Sequence, residues 1–236
     1  MRNWLTFNGK STKEYGVYIS GSDTFNAPER DTESVVIPGR DGELTIDNGR
    51  YKNISVEYPA FIYDQFNCNI EGFRNFLLSQ KGYGRLEDTY HPQEFRMAKI
   101  KGSFKVDPVD SLIAGQFKIS FDCKPQRFLK LGETPIEIAA ATSIKNPTLH
   151  SAKPLIRVYG YGQIFIGDYG FTVSQHTQDY MDIDCEMMDA FCGATNLNQY
   201  LTIGSNGFPK IDTGVQGITL AETVTKIIIT PRWFNI

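Results

Sequence analysis

Two periodicities divide the chain. Over most of its length apolar and polar residues alternate, the two-residue repeat of strands with one face buried and one face in water. Ala114–Phe128, "AGQFKISFDCKPQRF", is the clearest case, with Phe117, Ile119 and Phe121 set against polar neighbours. Trp4–Ser20, "WLTFNGKSTKEYGVYIS", reads as a strand, an Asn-Gly turn and a second strand. One segment carries the longer, helical repeat. In Asn69–Gly84, "NIEGFRNFLLSQKGYG", the residues Ile70, Phe73, Phe76 and Leu77 fall on one face, which predicts a helix packed on a core. Asn69 is placed to cap its start, and Gly82 lies just past its end. Asp23–Asp31, "DTFNAPERD", follows neither repeat and predicts a loop or extended arm.

The strand pattern breaks at Lys124–Thr134, "KPQRFLKLGET", where a proline, a glycine and several charges interrupt it. A domain boundary there separates residues 1–128 from residues 129–236. Strand patterning then resumes in "IEIAAAT", "PLIRVYGYGQIFIGDYGFTVS", "YMDIDCEMMDAFC" and "GITLAETVTKIIITPRWFNI". Gly167-Asp168 is set near the tip of a hairpin within the second of these. The expected second domain is a β-sandwich with one buried and one solvated face per sheet. Its last strand, about residues 226–236, is free to pack back on the first domain with Trp233 as its anchor.

The stretch Ile37–Thr45, "IPGRDGELT", raises a question of chemistry, because glycine-rich loops can cradle phosphate and arginine can clamp an anion. A phosphate loop needs a strand on one side and the N-terminus of a helix on the other. Here "SVVI" precedes the turn and "ELTI" follows it, both strand-like. Asp41-Gly42 suits a hairpin turn, since both residue types tolerate positive φ. Arg40 projects from that turn toward any neighbour. Arg40, Asp41 and Trp233 are therefore the candidate interface residues.

Composition narrows the function classes. Aromatics make up 13% of the chain, in keeping with strands. A net charge of -3 supplies no global basic field to grip nucleic acid. The polar N-terminus does not read as a secretory signal, and no apolar run reaches the roughly 20 residues of a membrane span. Synthesis in a cytoplasm without membrane insertion is expected, with Cys68, Cys123, Cys185 and Cys192 as buried thiols.

Candidate chemistry is thin. Asp182, Asp184, Glu186 and Asp189 cluster in "DIDCEMMDA". Strand alternation places Asp182, Asp184 and Glu186 on a solvated face, opposite Ile183 and Cys185. His176, Cys185 and Cys192 match no zinc spacing and lack a fourth ligand. No "GxSxG" elbow accompanies His91, His150 or His176. Tyr159, Tyr161, Tyr169 and Phe171 could form a sugar platform, although strand aromatics more often serve a core. No catalytic residue, cofactor or metal is expected.

Four blocks, in order along nearly the whole chain, carry a resemblance. They are "VVIPGRDGEL", "FRNFLLSQKGYGRLEDTYHPQEFRMAKIKG", "FDCKPQRF", and the run from "YMDIDCEMMDA" through "SNGFPKIDTGVQGITL" to "ITPRW". Together they resemble the distal tail protein (Dit) family of long-tailed phages, especially those infecting Gram-positive hosts. No single block is specific; the ordered set is. The resemblance implies a mainly β fold of two domains. The first is an N-terminal β-sandwich with one α-helix, and the second is a C-terminal galectin-like β-sandwich. It further implies a non-enzymatic virion protein at the tail tip, a hub built as a homo-hexameric ring. The ring would join the tail tube protein to the tail-associated lysin or spike and, in some relatives, to receptor-binding proteins. DNA would pass through its channel without specific binding. The alternative is a baseplate carbohydrate-binding module for host cell-wall polysaccharide. The second half carries no long insertion of the kind some relatives use to bind sugars.

Overall fold

The computed structural model describes residues 2–21, 24–63, 66–103, 105–109 and 114–236. Asp23, the start of the expected Asp23–Asp31 loop, lies outside them. Contacts divide the chain into two units, Met1–Arg127 with Ile236, and Phe128–Asn235.

The first unit contains strands β1 (Leu5–Phe7), β2 (Lys10–Ser11), β3 (Val17–Ile19), β4 (Arg30–Val36), β5 (Glu43–Tyr51) and β6 (Ile54–Tyr63). Helix α1 (Phe66–Ser79) follows, then β7 (Gly84–Asp88), β8 (Glu94–Ile100), β9 (Val106–Val109) and β10 (Ala114–Leu129). The main sheet runs β2-β1-β7-β8-β10-β6-β3, and β9 pairs with β10. Alternation in β10 becomes alternation in burial: Phe117, Ile119, Phe121 and Cys123 point inward. They lie opposite the β6 register from Ala114↔Tyr63 to Cys123↔Ile54. The sheet curls until Asn3, just ahead of β1, bridges Ile19 at the end of β3. Residues from the sheet's far ends, Phe7 and Ile19, thus share one core with Val56, Ile62 and Phe121.

Helix α1 covers that core. Phe73 and Phe76 pack on Tyr15, and Phe73 meets Phe117 at 5.8 Å between ring centres. Each such buried ring contributes about 1.5–3 kcal/mol. The helix begins at Phe66, a turn earlier than the expected Asn69 cap, because Phe66 is itself buried and extends the apolar face. Asn8-Gly9 turns β1 into β2 with positive φ at both residues, as the Asn-Gly pair favours. The following "STKE" forms a short 3₁₀ helix, Thr12–Tyr15, closed by a Ser11/Glu14 capping box.

The second unit contains β11 (Ile136–Ile138), β12 (Thr142–Asn146), β13 (Leu155–Gly160), β14 (Gly162–Ile166), β15 (Tyr169–Val173) and β16 (Met181–Asp184). It continues with β17 (Asp189–Cys192), β18 (Thr195–Asn196), β19 (Leu201–Ile203), β20 (Gly214–Leu220) and β21 (Val224–Thr230). One sheet runs β11-β21-β13-β16-β17-β18 and the other β12-β20-β14-β15-β19. Ile156, Ile183 and Ile229 from the first meet Ile164, Phe171 and Ile218 from the second in one core. This is a two-layer sandwich. Gly167-Asp168 forms the β14–β15 hairpin tip. β21 lies between β11 and β13, and a short last strand, β22 (Phe234–Asn235), follows it. Trp233 is buried in the second core, packed over Gly132, and its carbonyl accepts from Leu129 N–H at 2.8 Å.

Candidate interaction surfaces

Strands β4 and β5 pair with each other and form a two-stranded sheet of their own. The register Val36↔Glu43, Val35↔Leu44, Ser34↔Thr45 and Glu33↔Ile46 fixes the faces. Directly opposed residues of an antiparallel pair share a face. Val35, Leu44 and Ile46 therefore form one apolar face, and they are 41%, 44% and 45% exposed. Two-stranded hairpins are marginal alone in water. An apolar stripe along such an arm marks it for burial against something else.

The turn answers the question raised by "PGRDG". Pro38 and Gly39 occupy the centre of a turn closed by Arg40 N–H donating to Ile37 O at 3.2 Å, with Gly39 at φ 81. Proline followed by a glycine at positive φ is the type II arrangement. Gly42, at φ 80, completes the reversal. The stretch is a β-hairpin tip, and Arg40 and Asp41 are exposed on it. The foot of the hairpin is held by charge. Arg30 donates to Asp47 at 2.6 Å and to the Tyr51 hydroxyl at 3.2 Å, while Arg50 meets Asp31 at 2.6 Å. The Gly49 N–H and then Arg30 hold the Asp47 carboxyl below its ordinary pKa, and Asp47 raises that of Arg30.

The second unit corrects the reading of "DIDCEMMDA". Asp182 and Asp184 are 5% and 7% exposed, where alternation placed them in water. Arg157 donates to both oxygens of Asp182 at 2.7 and 2.8 Å, and Arg232 to both of Asp184 at 2.8 and 2.9 Å. A planar guanidinium matches a carboxylate in this two-bonded way, so each charge is neutralised as it leaves water. Burial pushes the Asp184 pKa up. Arg232 and the Met187 and Glu186 N–H groups outweigh it and hold the carboxyl below its usual range. These carboxylates are structural anchors, spoken for by arginine, and Glu186 pairs with Lys153 at 3.1 Å instead.

The remaining candidates disperse. Cys123 and Cys185 are buried, with thiols pushed up by burial to about 12, but Cys68 is exposed and Cys192 half-buried. Cys68 sits on the solvent side of the first turn of α1, which the later helix start concealed. His91 Nδ1 lies 3.0 Å from Asp88, which also accepts from the Tyr58 hydroxyl at 2.9 Å. The cavity beside this pair is about 10 Å³, the size of one water, and no Ser, Thr or Cys lines it. Among the described residues no group of three His, Cys, Asp or Glu could hold a metal ion. Of the four aromatics considered as a platform, Phe171 is in the core. Tyr161, one of the four, is exposed, and so is Phe165 on β14, which was not among them.

No protein-family model matches the chain, and no curated protein matches it. Solved structures do. The SPP1 Dit protein, described as a paradigm of the hub adsorption apparatus in phages infecting Gram-positive bacteria, aligns over 100% of both chains. The TM-score is 0.76 at 12% identity. A chain of the phage p2 baseplate in its activated conformation with calcium aligns over 97% of both chains, with a TM-score of 0.54 and 12% identity. The same baseplate with strontium gives 0.54 at 13% identity. At such identities the likeness is one of fold, and it runs through both units.

Proposed function

We propose that this chain is a non-enzymatic structural subunit of a phage tail tip, a Dit-type hub. The single observation that carries the reading is the end-to-end likeness of fold to the SPP1 Dit protein. A match through two successive units in one order is more specific than a match to either sandwich alone. In this reading six copies close a ring through the first unit. The ring joins the tail tube protein to the tail-associated lysin or spike. The second unit, a galectin-like sandwich, faces outward and docks receptor-binding proteins. DNA passes through the channel, and a chain of net charge -3 does not hold its phosphates.

The β4–β5 hairpin is the arm that reaches the next subunit. Its apolar face of Val35, Leu44 and Ile46 has no cover within its own sheet, and a second copy of the chain supplies one. Arg40 and Asp41, at the tip, touch that neighbour. Trp233 contributes by fixing the end of the second unit. Leu44→Asp with Ile46→Asp is expected to abolish the ring and leave a folded monomer, read by light scattering and particle images. A wild-type chain that stays monomeric at every concentration, and forms no ring in tails, would overturn the hub reading.

A further inference from the structure

The chain contains three Asn-Gly pairs, Asn8-Gly9, Asn48-Gly49 and Asn206-Gly207. Asparagine is thermolabile, and most so before glycine, which has no Cβ to hinder attack by its own nitrogen on the side-chain amide. All three asparagines are exposed. Each of the three glycines has a positive φ, and a Cβ built on it would meet nothing within 4 Å. Exposure and room therefore do not separate the pairs. What holds each asparagine does.

Asn8 is held at both ends of its amide. Its Nδ2 donates to Gln80 Oε1 at 2.8 Å, and its Oδ1 accepts from the Arg85 N–H at 3.1 Å. At the third pair, Asn206 Nδ2 donates to Asp168 O at 2.7 Å, and the Gly207 N–H donates to Gly204 O at 3.1 Å. Asn48 differs from both. Its side-chain amide makes no hydrogen bond among the described residues. The β4–β5 register passes from Thr32↔Asp47 to Arg30↔Tyr51, so Asp31 alone stands against Asn48, Gly49 and Arg50. A bulge of this kind leaves its extra residues unpaired, and neither Asn48 nor Gly49 has a partner in the register. The Gly49 N–H donates instead to Oδ1 of the exposed Asp47 carboxylate at 2.8 Å.

We infer that Asn48 is a site of spontaneous deamidation, through a cyclic imide closed by Gly49. The Gly49 nitrogen bonds to Asn48 Cγ and the Cγ–Nδ2 bond breaks. Nδ2 leaves as ammonia, with the proton that the Gly49 nitrogen gives up. Water then opens the imide. Opening at Cγ leaves aspartate. Opening at the Asn48 backbone carbonyl leaves isoaspartate, in which the main chain runs on through Cβ and Cγ. Water is the co-reactant, and nothing is oxidised or reduced. Either product sets a new carboxylate at the foot of the hairpin, where Asp47 and Asp31 already take Arg30 and Arg50. Isoaspartate also inserts a methylene into the backbone of β5 beside the Thr32↔Asp47 pair. The modification goes beyond the hub reading and does not depend on it.

Ageing the full chain in mildly alkaline buffer, made with water labelled in heavy oxygen, tests it. Peptide mapping by mass spectrometry reads the label at each Asn-Gly pair, and the urea-unfolded chain gives each pair's rate without structure. In the folded chain Asn48 should take up label first, at a rate near its unfolded one, with isoaspartate among the products. Asn8 must break two hydrogen bonds before it can react, so it should convert at least about ten-fold more slowly folded than unfolded. Asn48→Gln, aged alongside, should leave this peptide unlabelled and fold as the parent does, since the side chain it replaces makes no hydrogen bond. The inference is overturned if Asn48 keeps its amide in the folded chain while converting in the unfolded one, or if Asn8 or Asn206 converts first. Ring formation is read separately by light scattering, so a chain that never forms rings sinks the hub reading and leaves the Asn48 result standing.

Discussion

At the foot of the β4–β5 hairpin Arg30 meets Asp47 at 2.6 Å, with their side chains 50% and 42% exposed. On β16 Asp184 meets Arg232 at 2.8 Å, with the carboxylate side chain 10% exposed. The partners are the same and the distances nearly so, yet the physical roles are opposite. In the hairpin the charges stand in water and the apolar face is uncovered, an arrangement suited to a surface awaiting a partner. In the second unit the charges are withdrawn and the apolar residues close over a finished core. Distance alone does not give an ion pair its worth; what surrounds it does.

The comparison breaks first at Asp184. Asp184→Ala leaves a partly buried guanidinium without its partner and should cost about 3 kcal/mol in the urea unfolding of the second unit. Asp182→Ala should cost less, about 1–2 kcal/mol, because the Arg157 side chain is more exposed than that of Arg232 and water can replace the lost acceptor. Equal losses at the two sites would mean that exposure of the arginine does not set the cost.

A smaller effect lies in the acid response. The folded pKa of Asp184 is below its unfolded value of about 3.9. Its contribution is therefore complete above that value and is lost as pH falls through the folded pKa. The urea midpoint, followed from about pH 5 to about pH 2, should fall less steeply in Asp184→Asn than in the parent chain. The smallest effect is expected at the hairpin foot. Arg30→Ala should leave the melting temperature of the isolated chain within the scatter of replicate melts, since both partners are solvated. A clear drop would show that the exposed pair holds more than its own hairpin.

Much of this was legible in the sequence because the signals are local. "PGRDG" between two strand patterns specifies a hairpin without reference to any other part of the chain, and the Phe73, Phe76, Leu77 stripe specifies which side of α1 is covered. The buried carboxylates were not legible. Alternation assigns Asp182 and Asp184 a face but cannot say that Arg157 and Arg232, 25 and 48 positions away, arrive to neutralise them. The same limit hid the start of α1, where burial of Phe66 overrode the cap signal at Asn69. Phe165 was within reach, since "QIFIG" sets a phenylalanine between two inward isoleucines. That its ring lies across Gly170 is set by the strand register, which alternation alone does not give.

The hairpin also has a history in time. All its pairing is between residues close in sequence, and hairpins of this kind close in about 1–10 μs. The sheet beside it cannot close so soon. Pairing Cys123 with Ile54 must wait until α1 and the strands after it have been synthesised, and non-local pairing is slow. On a growing chain the arm can therefore close and reopen, marginally stable and with its apolar stripe in water, before the body that carries it exists. During synthesis the stripe is an aggregation hazard, and crowding of unfinished copies should lower the yield of folded protein more than it does for the same chain with Leu44 and Ile46 made polar.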